Sequence, residues 1–444
     1  MFPGPSISIV IPVYNAENHL RQSLAHLRAS TQQPLEVIVV DDASTDRSVQ
    51  VARDFGARVI SAPRRQGPAS ARNLGAQLAT GDVLYFLDAD VCVYPNTLEQ
   101  VGRSFFEDPA LDALIGSYDD DPSSQDFLSQ YRNLMHCFVH QTGRREAFTF
   151  WSGCGAVRRE VFLQCSGFDE RYHRPAIEDI ELGYRMAAEG RKLILDPDLQ
   201  VKHLKRWTFW NLVKTDVLDR GIPWTELILR DQHMANDLNL QLSQRVSVAL
   251  VYLLLGLAAI CAILLGGYFL TPLFAVLFIL LGRYWMDGST RPRSATILMT
   301  AGLFSVVALA YKYDMTGIIP PLLLSFLLLF LRHRYSQGQK SRRKWVSLTL
   351  GSFVGLSILV TLTYLPTNRW IFGLFVVLIG LVLLNNQFYL FLAAKRGRLF
   401  AVAAIPFHLL YHFYNGVSFT AGLCRWALLS MWSMDARHVP RPRE

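Results

Sequence analysis

The chain of 444 residues is long enough for two domains of ordinary size, and its 51% apolar content is unevenly placed, with long charge-free runs only after about Arg245. The formal net charge of +8 does not point to nucleic acid, because no basic stripe interleaved with aromatics occurs in the first half. The six cysteines, Cys92, Cys137, Cys154, Cys165, Cys261 and Cys424, form no CxxC pair and have no histidine at zinc-ligand spacing, so buried free thiols in a reducing compartment are expected.

In chain order, Ser6–Ile11 is a short β-branched run closed by Pro12 and reads as a buried strand. It is too short for a signal peptide, so the first domain is expected to stay on the side where it is made. Leu20, Leu24 and Leu27, spaced by four and three, predict a helix after Asn15. Leu35–Val40 is the next strand, stopped at Asp41-Asp42; Ser44 or Thr45 is placed to cap the helix through Val49, Val51, Ala52 and Phe55, which Gly56 closes. Arg58–Ala62 reads as a third strand, and Gly67-Pro68 opens a helix through Ala71, Leu74 and Leu78 that Gly81 ends. Val83–Leu87 is a fourth strand, stopped by Asp88-Ala89-Asp90. This alternation implies βαβ units and a mostly parallel sheet, whose ligands bind outside the carboxyl ends of the strands. Asp41, Asp42, Asp88 and Asp90 all fall there.

A DxD triplet alone is weak evidence, and the chain has three: Asp88–Asp90, Asp119–Asp121 and Asp196–Asp198. Only the first directly follows an apolar strand. Its paired carboxylates repel each other unless a cation joins them, and oxygen ligands suit Mg²⁺ or Mn²⁺ bound together with substrate phosphates; strand-end aspartates that cap a turn are the competing reading. Further on, Asp179 opens a helix through Leu182, Tyr184, Arg185 and Met186, where the helix dipole favours the anion that a general base must be. Without context, Glu178 and Asp179 are equally ordinary first-turn acids. His203 follows a strand at Leu193–Leu195 and a turn at Pro197-Asp198, and the cations Lys205 and Arg206 beside it face either a diphosphate or lipid headgroups.

Six pieces, IPVYN (Ile11–Asn15), VVDDAS (Val39–Ser44), GPASARNLG (Gly67–Gly75), LDAD (Leu87–Asp90), GFDE (Gly167–Glu170) and EDIEL (Glu178–Leu182), occur in an order and spacing that resemble glycosyltransferase family 2, with its GT-A fold. The resemblance covers roughly residues 6–210. It implies that Pro12 and Tyr14 line the nucleotide base, that Asp42, with Asp41, meets base or ribose, and that Arg72 approaches the nucleotide or its diphosphate. It further implies that Asp88 faces ribose and metal, that Asp90 binds Mg²⁺ or Mn²⁺ at the diphosphate, and that Asp179 is the general base for attack with inversion. His203–Trp207 reads HxxRW where processive relatives carry QxxRW, so processivity is in doubt; His203 is expected to complete the metal or diphosphate site and Arg206 to meet the diphosphate.

The second half reads as membrane. The apolar runs are Val246–Leu265, Phe269–Leu281, Ala295–Tyr311, Gly317–Leu331, Val346–Leu365 and Ile371–Ala394, and they show no polar face. Starting inside, cytosolic loops would carry Arg283, Arg291 and Arg293, then Arg332, Arg334, Lys340, Arg342, Arg343 and Lys344, then Lys395, Arg396 and Arg398. External turns would carry only Lys312 and Arg369, which keeps the first domain cytosolic. A seventh stretch, Leu399–Leu423, contains Pro406, His408, His412 and Asn415 and is read as a re-entrant or interfacial hairpin in preference to a seventh span. Between the halves, Trp207, Phe209, Trp210, Leu212, Val213 and Trp224 alternate with Lys205, Arg206, Lys214 and Arg220, as in an amphipathic helix at the bilayer surface or packed between domains.

The expectation is therefore an α/β GT-A domain over residues 1–240, with interface helices at about 205–235, followed by an all-α multi-pass membrane domain over residues 241–444. The expected reaction is metal-dependent, inverting transfer of one sugar from a UDP- or GDP-linked donor to a lipid or lipid-linked acceptor at the cytosolic face, with Trp151, Gly153 and Trp207 on the acceptor side. The rivals are a processive polysaccharide synthase, a non-catalytic nucleotide-sugar-binding protein, and a flippase-like transporter whose spans would need intramembrane charges.

Overall fold

The computed structural model describes residues 4–265 and 369–435. Eight strands form one mixed sheet: β1 (Ile7–Val13), β2 (Glu36–Asp41), β3 (Arg58–Ser61), β4 (Val83–Leu87), β5 (Val91–Val93), β6 (Ala113–Tyr118), β7 (Cys154–Arg158) and β8 (Leu193–His203). Their order is β3-β2-β1-β4-β7-β6-β8-β5. The pairings among β1–β4 are parallel, as expected of βαβ units. Strand β7 then runs antiparallel to both β4 and β6, and β5 runs antiparallel to β8, so the sheet is less uniformly parallel than the alternation of elements implied.

Helices cover both faces. On one, Leu20, Leu24 and Leu27 of α1 (Glu17–Arg28), Val51 of α2 (Ser48–Phe55) and Val101 and Phe105 of α4 (Thr97–Glu107) bury against Ile9, Ile11 and Tyr85. On the other, Ala71 and Ala76 of α3 (Pro68–Leu78), Phe162 of α6 (Arg159–Gln164) and Leu182 and Met186 of α7 (Glu178–Ala188) bury against Val10, Val40 and Phe86. Strands buried on both faces must be apolar at every position, which is why Val83–Leu87 shows no alternation. A Cβ at Gly75 would lie 2.4 Å from Val10 Cγ1, so the glycine lets α3 settle directly on β1.

Three local expectations change. Neither Ser44 nor Thr45 caps α2: Ser44 Oγ accepts from Asn15 N–H, Thr45 N–H donates to Asn15 Oδ1, and Asp46 Oδ1 accepts from Ser48 N–H instead. Helix α3 ends at Leu78, before Gly81. Strand β8 runs on through Pro197-Asp198 to His203, absorbing the break as a register shift against β6.

After β8 come α8 (Phe209–Lys214), a π-helical segment (Thr215–Gly221) and α9 (Ile222–Asp231). Trp210 is 77% exposed, whereas Trp224 Nε1 donates to Tyr184 Oη on α7, so this stretch has both a solvent face and a packed one. The chain forms two compact units, Met1–Arg245 with Leu410–Glu444, and Val246–Leu409. In the first, Asp216 of the π-helical segment accepts from Arg132 of α5 (Phe127–Gln141) at 2.5 Å and from Tyr414 Oη at 2.6 Å.

Helix α10 (Leu242–Leu265), which lies in the second unit from Val246 on, contains Leu242–Cys261, which among the described residues is the helix long and apolar enough to cross a membrane. The stretch expected as a span at Ile371–Ala394 is two helices, α11 (Arg369–Leu384) and α12 (Asn386–Arg396), bent by 63° at Asn385. Asn385 Nδ2 donates to Leu381 O and to Ser247 Oγ, satisfying the broken backbone. The expected hairpin at Leu399–Leu423 is instead part of one helix, α13 (Arg398–Asp435), with Pro406 inside it. Four further expected spans, from Phe269–Leu281 to Val346–Leu365, lie outside the described residues.

Candidate active site

The carboxyl ends of β1, β2 and β4 meet at one edge. Asn15 and Ala43 adopt left-handed backbone there, with φ of 49° and 63°, the turns that carry the chain out of β1 and β2. Asp42 is buried, its Oδ1 accepting from Gln66 N–H (2.6 Å) and its Oδ2 from Gly67 N–H (2.9 Å), so it fastens the loop that starts α3. Asp41 Oδ1 accepts from Ser44 N–H at 3.0 Å. Pro12 is half-buried in β1, and the Tyr14 ring, 40% exposed, carries the Arg65 guanidinium over its face at 3.9 Å. Tyr14 with Arg65 thus offers a flat, cationic surface one residue on from Val13, whose carbonyl accepts from Asp42 N–H.

Arg72 organises the centre. Although only 4% exposed, it donates from Nη2 to Asp88 Oδ1 (2.7 Å) and from Nη1 to Glu178 Oε1 (2.9 Å). Burial works against its charge, but Asp88 and Glu178 outweigh that and raise its pKa. Glu178, which the sequence marked only as a first-turn acid, also accepts from Ala176 N–H and is the buried counter-anion of the pair. Arg72 therefore stands as a tether between the strand-end carboxylate and the start of α7.

Asp88 and Asp90 keep 32% and 26% of their side-chain surfaces open. Burial raises the Asp88 carboxyl above its ordinary value, with Arg72 opposing and the charge of Asp90 adding to the rise. Burial would raise Asp90 too, but His203 together with Lys205 and His19 holds it down to about 2. Asp90 is thus an anion at neutral pH, beside a second carboxylate whose charge is costly. That imbalance is what a divalent cation shared with substrate phosphates relieves, and two open carboxylates are the donor set such an ion uses. His203 fits less well. Its Nε2 lies 3.6 Å from Asp90 Oδ2 while its ring stacks on Tyr118, and among the described residues no three His, Cys, Asp or Glu side chains converge as a metal-ligand group.

Asp179 is half-buried at the start of α7, its Oδ2 accepting from Ser152 N–H and Oγ at 3.1 Å each. Lys205 and Arg206 part company. Arg206 is exposed and lies 3.6 Å from Asp126, the cap of α5, so it does not reach the carboxylates. Lys205 is the neighbour that Asp90 and Asp88 feel; burial lowers its pKa, and its Nζ lies over Trp207 at 4.2 Å. Trp207, expected on the acceptor side, is buried, and its backbone N–H donates to Ser129 Oγ. A Cβ at Gly153 would lie 2.7 Å from the Trp151 ring, so the glycine lets that ring fold back beside Ser152. His136 and His140, one turn apart on α5, touch Trp151; sequence reading passed them over, although their spacing on one helix face was the available signal. The six cysteines are free thiols; five are buried, but Cys424 is exposed, against the expectation that all would be buried.

Residues 8–165 match the model of glycosyl transferase family 2. An uncharacterized glycosyltransferase of Haemophilus influenzae is 40% identical over 101 residues, covering 22% of this chain and 40% of that protein. Validoxylamine A glucosyltransferase of Streptomyces hygroscopicus subsp. limoneus is 31% identical over 220 residues, covering 42% of this chain and 49% of that protein. The chain thus spans about half or less of these relatives' length. Among solved structures, a mannosyltransferase of Pyrobaculum calidifontis in complex with GDP-Man and Mn²⁺ is 18% identical with a TM-score of 0.43, covering 76% of this chain and 89% of that one.

Proposed function

We propose that this chain, which carries a glycosyl transferase family 2 domain over residues 8–165, is an inverting glycosyltransferase. It moves one sugar from a UDP- or GDP-linked donor to a lipid or lipid-linked acceptor at the cytosolic membrane face. The observation that carries this reading is the arrangement around Arg72, which ties the Asp88 strand end to the helix start that bears Asp179. The charge of Asp179 then acts on Asp88, so the carboxylate read as base stands near the carboxylates read as metal ligands, and relatives matched by sequence are glycosyltransferases.

Asp179, oriented by Ser152, removes the proton from the acceptor hydroxyl. The freed oxygen bonds to the anomeric carbon as the carbon–oxygen bond to the diphosphate breaks on the opposite face, and the electron pair leaves with the diphosphate. One carboxylate suffices, because a single in-line displacement inverts the centre without a covalent intermediate. A bound Mg²⁺ or Mn²⁺, held by Asp88 and Asp90, would supply positive charge to the departing diphosphate. Lys205 adds a cation on the same side, and Tyr14 with Arg65 over its ring receives the nucleoside at the edge of the loop that Asp42 fastens. Support for a membrane-bound acceptor comes from helix Leu242–Cys261, from the apolar runs of the second half, and from exposed Trp210 and Leu218 between the halves.

The test is donor hydrolysis and transfer by detergent-purified protein across UDP- and GDP-sugars with Mn²⁺ or Mg²⁺, beside Asp90→Ala. Metal-dependent turnover of one donor that disappears in Asp90→Ala is the expected result. Turnover that survives the substitution removes the metal site, and binding without turnover, with lipid extract present, favours a non-catalytic protein.

A further inference from the structure

Lys205 stands at the diphosphate in the mechanism, and its place depends on distant parts of the chain. Leu204 N–H donates to Asp90 O at 2.9 Å, so the main chain reaches Lys205 directly from the metal-side loop. The ammonium then lies over the Trp207 ring, with Nζ 4.2 Å from the centroid. The same ring meets a second cation, Arg132 of α5, whose Cζ is 5.8 Å from it. Trp207 N–H donates to Ser129 Oγ on that helix as well. Trp207 is thus a buried spacer between Arg132 and Lys205, and where the guanidinium stands constrains where ring and ammonium stand.

Arg132 is itself held from outside α5. It is 8% exposed and donates from Nη2 to Asp216 Oδ1 at 2.5 Å, while Asp216 Oδ2 accepts from Tyr414 Oη of α13 at 2.6 Å. A buried ion pair is a weak source of stability, because desolvation consumes most of its attraction. What this pair does supply is a fixed direction for the guanidinium.

The π-helical segment is what lets Asp216 and Tyr414 meet. Along the contact with α13, Asp216 pairs with Tyr414, a Cβ on Gly221 would run into Ser418 Oγ, and a Cβ on Gly422 would lie 2.7 Å from Thr225 Cβ. On α13 the steps from Tyr414 to Ser418 to Gly422 are four residues each. On the facing segment the step from Asp216 to Gly221 is five and that from Gly221 to Thr225 is four, and the longer step lies inside Thr215–Gly221. An α-helix turns about 100° per residue, so without the extra residue Asp216 would be turned away from both Tyr414 and Arg132.

We propose that Tyr414 and Asp216 are positioning residues for the transfer: α13, acting through Asp216, Arg132 and Trp207, sets the place of the Lys205 ammonium at the donor diphosphate. The inference rests on the glycosyltransferase reading and on the part which that reading gives to Lys205. It adds a dependence of turnover on a helix outside the residues that match the family, 198 residues along the chain from Asp216.

The experiment uses the full chain in detergent and the donor found by the hydrolysis panel. Parent, Tyr414→Phe, Asp216→Asn, Lys205→Met and the double variant Tyr414→Phe/Lys205→Met are compared by kcat and KM of donor hydrolysis and by Tm. Lys205→Met is expected to lower kcat about 30-fold and Tyr414→Phe about fivefold, with donor KM changed less than about twofold, because the ammonium meets charge that develops on the leaving group. Asp216→Asn should cost more than Tyr414→Phe, since it removes the charge that holds Arg132. In the Lys205→Met background the Tyr414 substitution is expected to cost nothing further, because the group it displaces is gone. Tyr414→Phe keeps the ring and loses one hydroxyl, so it carries the test whether or not Asp216→Asn folds. An unchanged kcat in Tyr414→Phe overturns the proposal. So does a fivefold loss that is the same with and without Lys205, which would make Tyr414 and Asp216 packing residues. Full turnover in Lys205→Met removes Lys205 from the mechanism and overturns this inference, while the glycosyltransferase reading stands. No donor hydrolysis by the parent overturns both.

Discussion

Asp42 and Asp90 occupy the same kind of place, the carboxyl end of a parallel strand, and they are put to different use. At Asp42 both carboxylate oxygens accept backbone N–H groups, from Gln66 and Gly67, and the side chain is closed off from solvent. At Asp90 a quarter of the side chain stays open, its neighbours are Asp88 and His203, and no backbone donor is engaged by it. Asp46 resembles Asp42, accepting from Glu17 N–H and Ser48 N–H and so fastening the starts of α1 and α2 together. A strand-end aspartate thus builds the loop when amides converge on it and waits for a ligand when they do not. The open ones are the residues whose loss should cost activity, and the closed ones those whose loss should cost stability.

The largest effect that would break this contrast is at Asp179. Asp179→Asn keeps the Ser152 contacts in outline but removes the base, and transfer is expected to fall by about 10³-fold, measured as kcat with donor KM little changed. Retained turnover would move the base elsewhere. Next comes Asp42→Ala, which leaves two N–H groups without their acceptor and is expected to cost about 2–4 kcal/mol in denaturant unfolding. Asp90→Ala should cost distinctly less, since it also relieves repulsion with Asp88; equal losses would erase the distinction between the two sites.

The smallest effect is at Asp46. Its hydrogen bonds to Ser48 and Glu17 outweigh burial and lower its pKa below 3.8. A carboxylate depressed on folding contributes stability that is fully present above its unfolded pKa and is lost as pH falls through the folded value. Asp46→Asn is therefore expected to lower stability at pH 7 by no more than about 0.5 kcal/mol, because solvent screens this exposed carboxylate, with the gap to the parent closing as pH falls below about 4. A gap that stays constant with pH would assign the effect to shape and not to charge.

Much of the first domain was legible because its signals are local. The spacing of Leu20, Leu24 and Leu27 specifies a helix face, the run Val83–Leu87 specifies a strand buried on both sides, and both stand as expected. The placement of Asp88 and Asp90 followed from where that strand stops. The direction of β7 was not legible, because an apolar run such as Cys154–Arg158 fits either direction and the choice belongs to its neighbours β4 and β6. The division between Lys205 and Arg206 was equally hidden, since adjacent residues after a strand leave on different sides and only the fold says which side holds Asp90. The bend at Asn385 and the unbroken α13 likewise depend on partners: Ser247 meets the bend, and Asp216 meets Tyr414.

By itself, then, the sequence determined the strand and helix alternation, the switch from a mixed to an apolar composition after about Arg245, and the short motifs that resemble glycosyltransferase family 2. Each depends on residues close together in the chain, where spacing alone selects one geometry. Only the tertiary structure decided which carboxylates are closed and which are open, and that Arg72 joins Asp88, 16 residues away, to Glu178, 106 residues away. Those are long-range properties. Burial and hydrogen-bond supply at one side chain are set by whichever distant segments fold against it, and no spacing within the chain encodes them.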